Sequence, residues 1–251
     1  MPQSFSITDI GLRREMNQDF IFSSDLPLGA LSCLYLVADG MGGHQAGELA
    51  SKYTAEAIAD RVAQAESTDP EEILREASSF ANTKIRKIAS RRREYYGMGT
   101  TLVGCTICGD TLLVANVGDS RLYTFKDKLE QITVDHSLVE EMVRAGTLDR
   151  RDARIHPERN VITRAIGAED HVMVDFFRVP LESCGIVLMC SDGLTTMVED
   201  EEIEQILAAD LTLEEKASNM VARANEAGGK DNISVILIDT SQVPKRADAS
   251  L

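Results

Sequence analysis

The sequence predicts an α+β fold in which long helices pack outside a sheet or a pair of sheets. Two features carry that prediction. Amphipathic helical stretches flank a central block of short apolar runs joined by very short turns, and the last third alternates buried-strand runs with helices. A 43% hydrophobic share of 251 residues is ample for a substantial core. A chain of this size makes one large domain or two small ones. No linker, internal repeat or low-complexity run divides it, so a single domain over 1–240 is expected, followed by a frayed tail at 241–251.

The elements follow in order. Residues 5–9 read as a short strand and 34–39 as a buried one. From 45 to 65, Leu49, Tyr53, Ala57 and Ile58 recur near the helical period of 3.6. Thr68-Asp69-Pro70 followed by two glutamates is a helix entry with proline in the first turn. The helix that follows carries Ile73, Leu74, Ala77, Phe80, Ala81, Ile85 and Ile88 at spacings of three and four. In 100–133 the runs TTLVGCTI, TLLVANV, RLYTFK and LEQITV are separated by Gly109-Asp110, Gly118-Asp119 and Lys126-Asp127-Lys128. Such connections predict antiparallel neighbours in a meander of hairpins. Strands at 185–190 and 233–239 follow, with helices at 201–208 and 213–226 between them. The segment 137–166 opens with a short helix, LVEEMVRAG, and continues dense in charge. A functional flap and a solvated surface excursion both fit that composition.

Composition excludes several function classes. A net charge of −15 argues against nucleic-acid binding. No stretch has the ~18–20 apolar residues of a membrane span. The N-terminus, MPQSFSITDIG, lacks the basic and apolar regions of a secretory signal. A cytoplasmic monomer with reduced cysteines is therefore expected. Cys33, Cys105, Cys184 and Cys190 lie in strand-like runs. The C-x-x-C of Cys105 and Cys108 straddles the two faces of its strand, which reads as structural. The acidic run at 199–205 reads as a solvated helix start. Gly228-Gly229-Lys230 lacks the rest of a nucleotide-binding loop.

Four aspartates sit where apolar strands end or begin: Asp39 in LYLVADGMGGH, Asp119 in LLVANVGDSR, Asp192 in IVLMCSDGL and Asp231 in GGKDNISVILID. Carboxylates beside an apolar core are costly unless something positive neutralises them. No basic residue repeats beside all four, which points to metal ions. An oxygen-only donor set selects hard cations such as Mg²⁺ or Mn²⁺ over Zn²⁺. A multi-metal site suggests hydrolysis of a phosphate ester. Because the acidic surface repels phosphorylated substrates, the pocket must supply local positive charge. Arg14 is one candidate, read either as a surface arginine or as a phosphate clamp. Met98-Gly99-Thr100-Thr101 opens a strand with two hydroxyls that orient neighbours or merely favour β structure.

The segments TDIGLRREMNQD, VADGMGGHQAGELAS, GMGTT, VANVGDSRLY, TVDHS, HPERNVITRAIG, CSDGL and GGKDNIS together resemble, in order, the motifs of the type 2C serine/threonine protein phosphatases, the metal-dependent PPM family. They run from Thr8 to Ser234, and the forms D-G-M-G-G-H and N-Q-D resemble the bacterial branch. The resemblance implies a four-layer α-β-β-α sandwich of two mainly antiparallel sheets, with a metal cleft at one edge. It implies that Asp39 bridges two ions, Mn²⁺ or Mg²⁺, with Asp192 and Asp231 on the first and the Gly40 carbonyl on the second. Asp119, again with Asp192, corresponds to a third and weaker site. Asp19 would hold metal-bound water, Arg14 would contact the substrate phosphate, and Asn232 would support its neighbouring ligand.

The implied reaction is hydrolysis of phosphoserine and phosphothreonine by direct attack of a metal-bridging water. Phosphorylated proteins, among them a Ser/Thr kinase, are the implied partners. The alternatives are a phosphatase of small phosphate esters and a non-catalytic metal-binding sensor of the same fold. In one respect the chain departs from the pattern. Eukaryotic relatives carry a histidine after the first Asp-Gly, proposed as the leaving-group acid, and here that position is Met41. His44, His136, His156 and a metal-bound water are the candidates to replace it, and none is assigned.

Overall fold

The computed structural model describes residues 1–43 and 45–243; the frayed tail expected at 241–251 falls mostly outside them, as does His44. Strands β1 (Gln3–Asp9), β2 (Asp19–Ser24) and β3 (Leu34–Met41) come first, then helices α1 (Ala46–Ala63) and α2 (Pro70–Ala89). The middle is β4 (Gly99–Thr100), β5 (Leu102–Cys108), β6 (Thr111–Val117), β7 (Arg121–Phe125) and β8 (Leu129–Gln131). Short helices α3 (Leu138–Arg144) and α4 (Arg150–Ala153) lead to β9 (Asp175–Pro180) and β10 (Ile186–Cys190). A single turn, α5 (Asp192–Thr195), precedes α6 (Asp200–Ala208), α7 (Leu213–Glu226) and β11 (Ile233–Asp239).

The strands form two antiparallel sheets, one in the order β1-β11-β10-β7-β8 and the other β2-β3-β5-β6-β9, with β4 paired to the end of β3. Side-chain alternation sorts the core into three layers. Cys33, just before β3, and Tyr35 and Val37 on it point between the sheets, where they meet Val187, Met189, Ile236 and Ile238. Leu34 and Leu36 point outward against α1 and α2. On the other side Leu188, Cys190, Val235 and Leu237 meet Leu194, Ile203, Leu207 and Met220. Helices therefore cover both outer faces, giving the α-β-β-α sandwich.

Local signals explain the helix boundaries. Asp69 caps α2 by accepting from the Glu71 N–H at 3.1 Å, with Pro70 next. Thr212 and Glu215 form a capping box at the start of α7. The inner stripe of α2 is buried from Ile73 to Ile85, but Phe80, at the edge of that stripe, is exposed. On α1 the buried face is built mainly of small residues such as Ala46, Ala50 and Ala57, while Leu49 and Tyr53 are half-buried at its edge. Cys105 faces the space between the sheets and Cys108 the helical side, and all five cysteines are free.

The central meander is corrected at one turn. Gly109-Asp110 and 126–128 do close the hairpins β5–β6 and β7–β8. Gly118-Asp119-Ser120 closes none, because β6 pairs with β5 and β9 while β7 pairs with β10 and β8. Three linking residues reach about 10 Å, the spacing of stacked sheets, so a short link can change layers as readily as reverse a strand. Gly118 takes φ +104°, and a Cβ there would lie 2.7 Å from the Thr101 side chain. Strands β2 and β9, both sheet edges, and the turn α5 carry no strong sequence pattern and are additions.

Antiparallel order brings the ends of β3, β6 and β10 and the starts of β2, β7 and β11 to one edge of the sandwich. The 137–166 segment is closed on itself by the bridge Ser137↔Ile162 and fastened to that edge by the bridge Thr100↔Ile166.

Candidate metal centre

The four strand-end aspartates line one cavity of about 260 Å³, with the Gly40 backbone and Arg14 at its wall. Asp39 is fixed through its backbone. Its N–H donates to Thr101 Oγ1 at 2.9 Å, and its carbonyl accepts from Thr100 Oγ1 at 2.8 Å and from the Thr101 N–H at 2.9 Å. Thr101 Oγ1 also lies 2.7 Å from Ser120 Oγ, so one hydroxyl ties the Asp39 peptide to the crossing that carries Asp119. Both threonines therefore orient the site.

Asp19 stands opposite Asp39 in the β2–β3 register and accepts from Ser191 Oγ at 2.7 Å. That hydroxyl in turn accepts from the Ser234 N–H at 3.0 Å. Ser191 thus locks Asp19 to the β10–β11 pair, a role that no local pattern in the sequence signals. Asp192 opens α5, and Gly193 lets this turn lie against the β11 entry, since a Cβ there would be 2.0 Å from the Asn232 carbonyl oxygen.

Asn232 binds three backbone groups of the N-terminal loop. Its Oδ1 accepts from the Gln18 N–H at 2.8 Å, and its Nδ2 donates to the carbonyls of Ile10 and Met16 at 2.9 and 3.0 Å. The loop so held carries Arg14, whose Nη2 donates to Asp231 Oδ2 at 2.6 Å while the side chain stays about half exposed (48%). The other nearby arginine, Arg121, is taken up by Asp135 at 2.7 Å.

Helix α1 meets the site backbone to backbone. A Cβ on Gly40 would sit 2.0 Å from the Gly47 carbonyl oxygen. Gly40→Ala should therefore cost about 3 kcal/mol of stability by forcing α1 off β3. Urea unfolding checks this, and a variant as stable as its parent would show that the two segments can separate freely.

The electrostatics are those of an anion cluster short of cations. Burial, then repulsion from neighbouring carboxylates, raises Asp39 and Asp119 well above the ordinary carboxylate range. Asp19 is pushed up to about 7 by burial, against the hydrogen bond from Ser191 and with repulsion from Asp192 and Asp231. Asp192 is pushed up to about 6 by burial and Asp231, offset by a hydrogen bond with Asp39. Asp19 Oδ1 and Asp192 Oδ1 are buried without a hydrogen-bond partner. Among the described residues no three His, Cys, Asp or Glu side chains already converge as a closed ligand set. The site is instead an open wall of carboxylate oxygens with orphaned lone pairs, which fits hard divalent cations with exchangeable positions. Asp39, Asp119, Asp192, Asp231 and the Gly40 carbonyl are placed to hold them, with Asp19 behind.

Residues 160 and 162 line the same cavity, so the end of the 137–166 segment is a wall of the site rather than a solvated excursion. No histidine among the described residues lines it. His136 is buried, with Nδ1 accepting from the Gly118 N–H at 3.0 Å and Nε2 3.1 Å from Asp175, and burial lowers its pKa. It anchors the β6–β7 crossing. His156 Nδ1 accepts from the Glu158 N–H at 3.2 Å within a turn.

Comparisons with known proteins agree with this geometry. The family model described as protein phosphatase 2C matches residues 13–237. Serine/threonine phosphatase stp of Listeria monocytogenes is 40% identical over 252 residues, covering 97% of this chain and 98% of that protein. The crystal structure of serine/threonine phosphatase Stp1 from Staphylococcus aureus superposes with a TM-score of 0.89 at 34% identity, over 95% of each chain. The catalytic domain of the serine threonine protein phosphatase PstP, solved in complex with 2 manganese ions, gives a TM-score of 0.81 at 31% identity, covering 95% of this chain and 97% of that one.

Proposed function

The chain belongs to the protein phosphatase 2C family and is a metal-dependent serine/threonine protein phosphatase; from that premise we propose how its own residues carry the reaction. One observation supports the assignment of roles: Asp39, Asp119, Asp192 and Asp231 meet in a single cavity with Arg14 at its wall. The four carboxylates and the Gly40 carbonyl would hold Mn²⁺ or Mg²⁺, two ions in the core and a third through Asp119 and Asp192. When bound, such ions neutralise phosphate charge and lower the pKa of water.

The protein's part is to position and to neutralise. Arg14 can offer paired N–H donors to two phosphate oxygens at the cavity wall, and Asp231 sets its direction. Asp19 Oδ1 is buried without a hydrogen-bond partner and would accept from a water held at the site. Ser191 keeps the other Asp19 oxygen occupied, so the free one stays aimed. Met41 lines the cavity and cannot donate a proton. No histidine among the described residues lines the cavity, so the serine or threonine alkoxide draws its proton from water, and an aryl phosphate, whose leaving group needs none, is turned over faster.

Phosphorylated proteins are the substrates, and the enzyme opposes a Ser/Thr kinase, in the cytoplasm and as a monomer, with residues 1–240 as one catalytic domain. The small-ester and sensor alternatives gain no support, since the relatives are named protein phosphatases and the carboxylate set is complete. The test follows hydrolysis of an aryl phosphate and a phosphothreonine peptide with Mn²⁺, Mg²⁺ or chelator, for the parent and Asp192→Ala. Metal-dependent turnover of both, lost in the variant, is expected. Turnover of the aryl ester alone would favour the small-ester reading or a missing leaving-group acid, since the aryl leaving group needs none.

A further inference from the structure

Helices α1 and α2 leave a groove of about 370 Å³ at the cavity end of the sandwich. Leu49, Tyr53 and Glu56 line it from α1 at helical spacing, and Lys84 and Ile88 from α2. Arg91, Arg92 and Tyr95 close it beyond the end of α2. Both rims connect directly to the metal centre. Leu49 lies two residues after Gly47, which abuts Gly40. The Tyr95 carbonyl accepts from the Met98 N–H at 3.0 Å, and Gly99 is paired with Met41.

The groove's charge is opposite to that of the molecule. The chain carries 41 acidic against 26 basic residues, yet Lys84, Arg91 and Arg92 line the groove against Glu56 alone, with Arg92 paired to Glu94 just outside it. Arg86 and Lys87 on the same helix answer its C-terminal dipole, and Arg86 also pairs with Asp170. Lys84 and Arg91 have no such account. Neither forms an ion pair among the described residues, and Lys84 lies 5.7 Å from the Tyr53 ring. In a chain with 15 excess negative charges, cations left unpaired on an aromatic floor form a local site for anions. The apolar floor of Leu49, Ile88 and the tyrosines suits side chains as well as charge. The surrounding acidic surface repels a long polyanion, so a nucleic acid does not fit.

We propose that this groove docks an acidic segment of the phosphorylated substrate protein while the scissile residue occupies the metal centre. The proposal rests on the protein-phosphatase reading and adds a substrate preference to it. Binding at a distance from the reacting atoms acts on KM and leaves kcat largely unchanged.

Two phosphothreonine peptides of equal length, one ending in a run of glutamates and the other in glutamines, test it. The parent should turn over the glutamate peptide with the lower KM. The double variant Lys84→Glu/Arg91→Glu should raise that KM by about tenfold and leave the glutamine peptide and an aryl phosphate unchanged. The double variant Lys126→Glu/Lys128→Glu, on the turn after β7, makes the same change of net charge and controls for it. Fluorescence anisotropy of the unphosphorylated glutamate peptide reads the groove without catalysis and should show salt-sensitive binding, lost in the double variant. Equal KM for the two peptides in the parent, or anisotropy unaffected by the double variant, would overturn the docking site. Failure of the parent to hydrolyse any phosphate ester would instead sink the phosphatase reading, with the anisotropy still judging the groove.

Discussion

Asp39→Asn is expected to lower turnover by on the order of 10³-fold and, in chelator, to melt at a higher temperature than its parent. Both effects have one source. Asp39 is desolvated and sits among Asp19, Asp192, Asp119 and Asp231, each of which repels its charge. The amide keeps the shape, and the bonds that fix residue 39 to Thr100 and Thr101 are backbone bonds that survive the change. What disappears is one negative charge, needed to hold cations and otherwise a cost to folding. Aryl phosphate hydrolysis with Mn²⁺ and melting curves in chelator measure the two arms. A variant that retains parental activity, or that melts below its parent in chelator, would remove Asp39 from the ligand set. The opposition of stability and function is what a binding site built from like charges should display.

The legible and illegible parts of the fold differ for physical reasons. The core of β3, β10 and β11 was readable because strands buried on both faces are nearly continuous apolar runs, and Asp39, Asp192 and Asp231 mark their ends. Helix α2 announces itself through Asp69-Pro70. Edge strands β2 and β9 were missed because half their side chains face solvent or helices and their patterns are mixed, as in DFFRVP. The Gly118-Asp119-Ser120 crossing was read as a hairpin because a turn's length does not state which layer the next strand joins. That misreading left the position of Asp119 correct, since hairpin and crossing both leave it at a strand end. Ser191 was invisible for another reason. Its role depends on a long-range contact with Asp19, 172 residues earlier in the chain, and no local pattern reports it.

In chelator, the melting temperature of the parent should rise as pH is lowered from about 8 to about 5, and the gain from added Mn²⁺ should shrink over the same range. The folded-state pKa values of Asp19 and Asp192 are about 7 and about 6, against 3.8 for an unperturbed aspartate, and burial and repulsion raise Asp39 and Asp119 as well. Between the ordinary value and the raised ones the folded chain binds more protons than the unfolded chain, so its stability falls as pH rises through that window. His136 works the other way. Its lowered pKa favours the folded state at higher pH, and that contribution is lost as pH falls below 6.5, but it is one group against four. Protons and divalent ions relieve the same repulsion at the same oxygens, so each should weaken the effect of the other. A melting temperature in chelator that is flat or falls on acidification would mean that the carboxylates are not held in the desolvated cluster described here. The Asp39→Asn variant makes the attribution specific. Losing one member of the cluster should flatten the acid-side gain and the Mn²⁺ gain together, whereas a pH dependence arising elsewhere in the sandwich would persist unchanged.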